Sequence, residues 1–326
     1  MGKEKNMQTL LAKEDIDVNL RPKYFVDFIG QNDIKENLKI FVEAAKKRNQ
    51  PLDHILFYGP PGLGKTTLAH IIANELSRRI KSISAPVLEK QGDLVSLLTN
   101  LEEGEILFID ELHRLRKNIE EILYQAMEDY KVDIVLGKGP MGKVIKLNLP
   151  KFTLIGATTR AGMLTLPLRN RFAITNRIDY YSCEEIFQVI KRSCALLGID
   201  IEDESCLAIA KRARGTPRIA NNLLKRIKDY ADIKSNGVIN LNITEEAFSK
   251  LGIDELGLDK MDRKILEVII KKFNGGPVGI KTLTAALSES IDVLEDIYEP
   301  YLIRIGFIQK TPRGRCATLI AYKHLN

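Results

Sequence analysis

The chain has 326 residues, enough for two or three domains that each bury a core. Its 44% apolar and 28% charged composition excludes a disordered tract or a membrane protein, and no apolar run approaches the roughly 18–20 residues of a spanning helix. The net charge of +6 is too mild to name a partner, but from Arg304 onward Lys310, Arg313, Arg315 and Lys323 follow without one acidic residue.

The opening stretch MGKEKNMQTLLAKEDIDVNL carries acids and no apolar signal core, so an exported protein is not expected. Cys183, Cys194, Cys206 and Cys316 stand apart with no C-x-x-C pair, and His54, His70, His113 and His324 are equally scattered. That usage suggests free thiols in the reducing cytoplasm and gives no support to a zinc site or a disulfide frame.

Up to about residue 178, strand-like and helix-like stretches alternate. HILFYG (54–59), EILFID (105–110) and FTLIGATT (152–159) are short apolar runs of the kind that form buried parallel strands. Helices are expected from Gly64 into TTLAHIIANELSRRI and over NIEEILYQAMEDY, and the β–α succession points to an α/β parallel sheet.

The first strand runs into Gly59-Pro-Pro-Gly-Leu-Gly-Lys65-Thr66-Thr67, a complete G-x-x-x-x-G-K-[ST] loop. Gly59, Gly62 and Gly64 allow backbone angles closed to other residues, so successive N–H groups can turn inward around phosphate oxygens. Lys65 then reaches the β- and γ-phosphates, the Thr66 hydroxyl is placed to coordinate Mg²⁺, and the following helix aims its N-terminus at the same anion. A strand before and a helix after are the context this motif requires.

The second strand ends in Asp110 and Glu111. A carboxylate there can hold the Mg²⁺ shell, and its neighbour can orient or deprotonate an attacking water. VDIVLGKGPMGKVIKLNL (132–149) reads as a hairpin, two apolar strands about a Gly-rich turn. Thr158, at the end of the third strand, either senses a γ-phosphate or caps a turn. In LPLRNRFA (166–173), Arg169 and Arg171 are either solvated surface arginines or the source of a guanidinium donated to a neighbouring subunit's phosphates.

Residues 179–256 are expected to be helical. SCEEIFQVIKRSCALLG opens on a Ser182/Glu185 capping box and stops at Gly198, EDESCLAIAKRARG repeats the pattern, and TPRIANNLLKRIKDYADI begins with Thr216 and Pro217. Arg218 near that start is either a sensor of the γ-phosphate or an ordinary helix-start arginine, the latter less favoured because a cation at a helix N-terminus does not stabilise the helix. In residues 257–326, three helices (DRKILEVIIKKF, GIKTLTAALS and DVLEDIYEPYLIRIG) precede two strand-like pieces, FIQK and ATLIAYK, joined by the turn TPRGRC. Three helices and a hairpin suggest a winged helix.

Taken together these residues resemble the RuvB family, AAA+ ATPases of bacterial Holliday-junction branch migration. The likeness covers nearly the whole chain: LRPKYFVDFIGQ, FYGPPGLGKTTLAHIIANEL, LFIDELHRL, EEILYQAMEDY, FTLIGATTRAGMLTLPLRNRF, RGTPRIANNLLKR and GFIQKTPRGR. The phosphate loop is generic to many ATPases, whereas GATTRAG, GTPRIAN and TPRGR are far more specific. The resemblance implies an AAA+ P-loop core (1–178), a helical lid (179–256) and a winged-helix domain (257–326), assembled as a hexamer around duplex DNA.

It also implies ATP and Mg²⁺, with Gly62, Gly64, Lys65, Thr66 and Thr67 on the nucleotide and Thr66 and Asp110 on the metal. Leu20, Arg21, Tyr181 and the stretch Glu128, Asp129, Tyr130 would lie near the nucleotide. Lys65, Asp110 and Glu111 would act in catalysis, with Thr158 and Arg218 as first and second sensors and Arg171 as a finger acting on the next subunit. Lys310, Arg313 and Arg315 would touch the DNA backbone, and the 132–149 hairpin would dock on a RuvA-like junction-binding protein, with a junction resolvase as a further partner.

Two positions depart from the family pattern. Ala173 stands where Gly is usual, and Lys310 stands where Arg is usual, keeping the charge but losing the bidentate fork. The rivals are a clamp-loader subunit, which ends in a helical collar, a protein unfoldase, which needs an aromatic pore loop, and a winged-helix regulator that nucleotide merely switches.

Overall fold

The computed structural model describes residues 20–136 and 143–325. The acidic opening stretch, apart from Leu20, and the turn of the 132–149 hairpin lie outside the described residues. Two compact units result, one running up to Val189 together with Thr216–Arg218, the other formed by Ile190–Gly215 and the chain from Ile219 onward.

The first unit is built on a parallel sheet of five strands in the order β2-β3-β6-β1-β7. These are β1 (Ile55–Tyr58), β2 (Ile80–Ser84), β3 (Ile106–Asp110), β6 (Thr153–Thr158) and β7 (Ile174–Arg177). The three expected strands occupy the centre, and β6 is buried throughout, as befits a strand covered on both faces. Helices α1 (Asn32–Arg48), α2 (Lys65–Leu76), α3 (Gln91–Thr99), α4 (Lys117–Asp129) and the short α5 (Leu166–Asn170) surround it. Leu94 and Leu98 of α3 and Ile119, Leu123 and Met127 of α4 share one core with Leu107 and Ile109 of β3 and Leu154 of β6.

Two features differ from expectation. The helix after the phosphate loop stops at Leu76, because Ser77 adopts a left-handed conformation (φ 53) and closes the helix end. The chain then enters β2, an edge strand whose polar Lys81, Ser82 and Ser84 disguise it as part of a surface helix. The expected hairpin is present as β4 (Lys131–Leu136) paired antiparallel with β5 (Lys143–Asn148), Val132 facing Leu147.

The capping box at Ser182 forms as read: the Glu185 N–H donates to Ser182 Oγ at 3.1 Å and the Ser182 N–H to Glu185 Oε2 at 2.8 Å. It opens α6 (Cys183–Leu197). Next come α7 (Asp203–Arg212), α8 (Pro217–Lys234), with Pro at its first position, and α9 (Leu241–Leu251). In the second unit these helices are followed by α10 (Lys260–Glu267), α11 (Ile280–Leu287) and α12, an unbroken run of Ile291–Val293, Leu294–Tyr298 and Glu299–Arg304. A hairpin of β8 (Ile308–Thr311) and β9 (Gly314–Ala317) completes a winged helix around Leu266, Ile269, Leu283, Leu294, Leu302 and Phe307.

The expected second wing strand, ATLIAYK, is a helix: α13 spans Leu319–Leu325. The hairpin turns tightly at Pro312-Arg313, with Thr311 facing Gly314, so its return strand falls on GRCA and is complete before Leu319. Thr318 Oγ1 then donates to the Gly306 carbonyl at the hairpin's root, and Ala321 packs into the core while Leu319 stays exposed.

Several contacts join the lid helices to the winged helix, Arg263 to the Gly252 carbonyl and His324 to Asp254 among them, and Arg214 makes the densest set. Arg214 donates to the Gly257 carbonyl from Nε (2.9 Å) and Nη2 (2.6 Å), pairs with the fully buried Asp262 at the head of α10, and lies over the Tyr301 ring. Arg304 donates to the Arg214 carbonyl at 2.8 Å. A planar guanidinium with this many fixed partners acts as a strut, a role a flexible lysine would fill poorly.

Candidate nucleotide site and nucleic-acid interface

The phosphate loop joins β1 to α2, and α2 starts at Lys65 with Gly64 as its N-cap. Gly62 has φ +78, and a Cβ there would sit 2.9 Å from Thr216 Cγ2 and 3.1 Å from Arg218 Cβ, so no other residue fits this turn without strain. Lys65 Nζ donates to the carbonyls of Gly59 and Pro60, both at 2.7 Å. Burial lowers its pKa to about 8, against the pull of Asp110 and Glu111, and the Arg218 charge adds to the lowering. A buried cation facing an amide-lined turn is suited to an anion of high charge.

Parallel pairing aligns the carboxyl ends of β1, β6 and β3, with Tyr58 beside Thr158 and Ile109 beside Gly156. The Gly59 N–H donates to the Thr158 carbonyl at 3.2 Å, which fastens the loop to β6. Thr66 Oγ1 donates to Asp110 Oδ2 at 3.3 Å, and Asp110 Oδ1 accepts the Glu111 N–H at 2.8 Å. Glu111 has φ 54, a left-handed turn that swings its carboxylate away from the strand direction. Thr158 is fully buried, and Thr67 shares the first turn of α2.

Of the other expected residues, Tyr181 and Arg218 meet the loop directly. Tyr181 is buried and donates to the Leu63 carbonyl at 3.2 Å, and burial pushes its phenol pKa up. The Phe28 ring approaches within 3.2 Å of where a Gly64 Cβ would stand. The segment before it is pinned to α2, since Asn74 Nδ2 donates to the Lys23 carbonyl at 2.9 Å and Glu75 accepts the Phe25 N–H at 3.1 Å. Leu20 is buried at its start, and the Arg21 charge, after burial, lowers the pKa of His70 on α2. The Arg218 N–H faces the Gly62 carbonyl at 3.4 Å.

Arg171 belongs to a different cluster. Its Nη2 meets Glu128 Oε2 at 2.5 Å, Nη1 donates to the Pro167 carbonyl at 3.0 Å, and the guanidinium lies 5.2 Å from the centre of the Tyr124 ring. Glu128 and Asp129 end α4, and Tyr130 closes it (φ 50) with its ring edge-on to Phe152. Of these four expected nucleotide residues, Arg171 and Glu128 are paired with each other, and Asp129 and Tyr130 follow Glu128 in the chain.

On the wing, Arg313 is exposed at the turn and Lys310 is 56% exposed, 3.6 Å from Glu295. Arg315 does not share that exposure. Its side chain is 7% exposed, pairs with Glu299 through Nε and Nη2 (the latter at 3.0 Å) and reaches Glu295 at 2.8 Å. Arg315 thus braces the wing against α12, and the side chains presented to solvent are Lys310 and Arg313.

One residue that the sequence reading passed over stands inside the site. His113 bridges Thr158 and Glu111, with Nδ1 2.9 Å from Thr158 Oγ1 and Nε2 3.4 Å from Glu111 Oε2. Its signal was present as the last letter of DELH, two places beyond the glutamate.

A lysine and hydroxyl heading a helix after a parallel strand, a carboxylate pair at a nearby strand end, and a lid arginine over the loop define a P-loop ATPase of the AAA+ class. Three family models cover nearly all of the chain: the Holliday junction DNA helicase RuvB P-loop domain at residues 20–178, the RuvB AAA lid domain at 181–254 and the RuvB C-terminal winged helix domain at 255–326. The chain belongs to the RuvB family, and it is a P-loop ATPase and DNA helicase that drives branch migration of Holliday junctions. Among solved structures it is similar to the Thermotoga maritima RuvB Holliday junction branch migration motor, at 49% identity and a TM-score of 0.86, covering 94% of this chain and 98% of that one. Two mutants of Thermotoga maritima RuvB match at 50% identity with the same coverage, at TM-scores of 0.87 and 0.86.

Proposed function

We propose that the chain works as a homohexameric ring whose ATP sites are each completed by two subunits. The supporting observation is the division of the expected catalytic residues into two clusters: Lys65, Thr66, Asp110, Glu111, Thr158 and Arg218 around the loop, and Arg171 held by Glu128 on another surface. A guanidinium worth several orders of magnitude in phosphoryl transfer has a use there only if a neighbour brings the phosphates to it.

In this reading Gly62, Gly64 and the head of α2 hold the triphosphate by main-chain amides, with Lys65 neutralising the β- and γ-phosphates. Thr66 and Asp110 are the donors for Mg²⁺. Two hard oxygen donors 3.3 Å apart suit a cation that takes the rest of its shell from phosphate and water. That ion supplies charge neutralisation when bound. Glu111 orients and activates the attacking water, Thr158 and Arg218 read the γ-phosphate, and Arg171 of the next subunit stabilises the developing charge. Leu20, Arg21 and Tyr181 border the nucleotide, while Glu128, Asp129 and Tyr130 approach it from the neighbour's side.

The core, lid and winged helix are taken as 1–178, 179–256 and 257–326. Lys310 and Arg313 grip phosphates of duplex DNA at a four-way junction, so binding is nearly sequence-independent and salt-sensitive. The β4–β5 hairpin docks on a RuvA-like protein, a junction resolvase joins the assembly, and the complex works in the cytoplasm. No helix among the described residues is long and apolar enough to cross a membrane.

The test is four-way-junction unwinding with and without the junction-binding partner. ATP-dependent strand separation, enhanced by the partner and lost in Glu111→Gln protein that still retains ATP, is expected. Unwinding that proceeds without ATP hydrolysis would overturn the reading.

A further inference from the structure

We propose that Glu295 is a counter-charge built into the winged helix, which loosens the hold of Lys310 on DNA phosphates so that a moving duplex can be released. After Arg304 the sequence offers Lys310, Arg313 and Arg315 with no acidic residue among them. In space that basic segment is answered by carboxylates from the helix before it. Glu295 and Glu299 stand four residues apart on α12 and so share one face of the helix. Leu294 and Leu302, both fully buried in the winged-helix core, fix which way that face points.

The hairpin brings two of the cations to these carboxylates. Lys310 and Arg315 are register partners across β8 and β9, so their side chains leave the same side of the wing. Like charges placed opposite each other repel, and a carboxylate beside them relieves the repulsion. Arg315 pairs with Glu299 through Nε and Nη2, the latter 3.0 Å from Oε2. The same Nη2 reaches Glu295 Oε1 at 2.8 Å. Lys310 Nζ lies 3.6 Å from that one oxygen.

The two cations are held in different ways. Arg315 is enclosed, its planar fork fixed by several charge-assisted bonds. Lys310 is 56% exposed, and at 3.6 Å its ammonium is held by charge alone, beyond hydrogen-bonding distance. Exposed pairs of this kind add little stability, so the wing does not depend on this one to hold its shape. What the pair changes is the field at the surface, because a phosphate that approaches Lys310 meets the Glu295 carboxylate behind it. A lysine keeps the exchange easy, since it cannot lock onto a carboxylate with an arginine's fork. A motor must let go of each phosphate as well as seize it, and a carboxylate at the grip favours release.

This role rests on the reading of Lys310 as a phosphate contact, and the test separates the two. The full chain is titrated onto a labelled duplex of arbitrary sequence at about 50 mM and about 200 mM salt. Glu295→Gln keeps an acceptor beside Arg315 and loses the charge. It is expected to bind about fivefold more tightly at the lower salt, the scale of one exposed ion pair. The advantage should shrink at the higher salt, with the slope of log K against log salt steepened by up to about 1. Glu295→Asp keeps the charge and should bind within about twofold of the parent.

A purely structural role for Glu295 gives the opposite sign, because a loosened wing binds worse. Equal or weaker binding by the Gln protein at the lower salt would overturn the proposal. So would a gain of the same size once Lys310→Ala is added, where it should nearly vanish. Lys310→Ala alone is the control. If it binds DNA like the parent, the contact assignment has failed; if it binds more weakly while Glu295→Gln gains nothing, only the counter-charge has failed. Should the Gln protein not fold, Glu295→Ala, which removes the same charge, decides alone.

Discussion

The nucleotide site and the wing both present basic residues, but the two are built on different principles. At the phosphate loop the ligand is held by main-chain amides and by side chains at fixed offsets from a strand end, so sequence spacing and spatial position are nearly the same thing. On the wing the function lies in side-chain charge alone, and there spacing says little. Arg313 and Arg315 are two residues apart, yet one is exposed at a turn and the other is enclosed by Glu299 and Glu295. Charge counts find a basic segment; only burial shows which charges are free to meet a phosphate.

The sharpest break of that comparison concerns the arginine that stands apart from the loop. Arg171→Ala should lower kcat for ATP by about 10³-fold or more while nucleotide affinity holds, as expected for a charge that acts in the transition state. Equal losses in affinity and turnover would return Arg171 to the binding site of its own subunit. Next in size, Arg315→Ala leaves the buried Glu299 unpaired, which should cost the second unit about 3 kcal/mol of stability. The check is thermal unfolding, with the salt dependence of DNA binding followed below the melting point. An unaltered midpoint with a flatter salt slope would mean that Arg315 faces DNA after all.

Lys65→Ala should weaken ATP binding by about 10²-fold, roughly 3 kcal/mol for a buried charge-assisted contact. The pH dependence sharpens this. Because the Lys65 pKa is lowered to about 8 by burial, the free protein sheds that proton above pH 8 and must recover it to hold the phosphates. Affinity should therefore be level below pH 8 and fall by at most about tenfold per pH unit above it, a slope that Lys65→Ala protein should lack. The smallest effect is expected from Arg313→Ala. It should reduce the slope of log K against log salt by about 1, with no change in the thermal midpoint.

What was legible in the sequence follows the same division. The central strands, the loop, Asp110, Glu111, Thr158 and the Ser182 cap could be read because each is set by local pattern: an apolar run, a glycine spacing, a capping offset. β2 could not, since an edge strand has one neighbour and tolerates exposed Ser82 and Ser84 on one face. The helix α13 was taken for a strand because LIAY is apolar in either form, and what decided it was a two-residue turn that finished the hairpin early. His113 was missed because its meaning depends on Thr158, 45 residues away in sequence, and only the pairing of β3 with β6 brings them together.

The joint ATP site is tested most directly by mixing two inactive proteins, Lys65→Ala, which keeps Arg171, and Arg171→Ala, which keeps the phosphate loop. If each site is completed by a neighbour, mixed rings contain intact sites and ATPase activity should reappear, greatest near equal proportions. Mixed rings that form and yet stay silent at every ratio would contradict a guanidinium supplied by the next subunit.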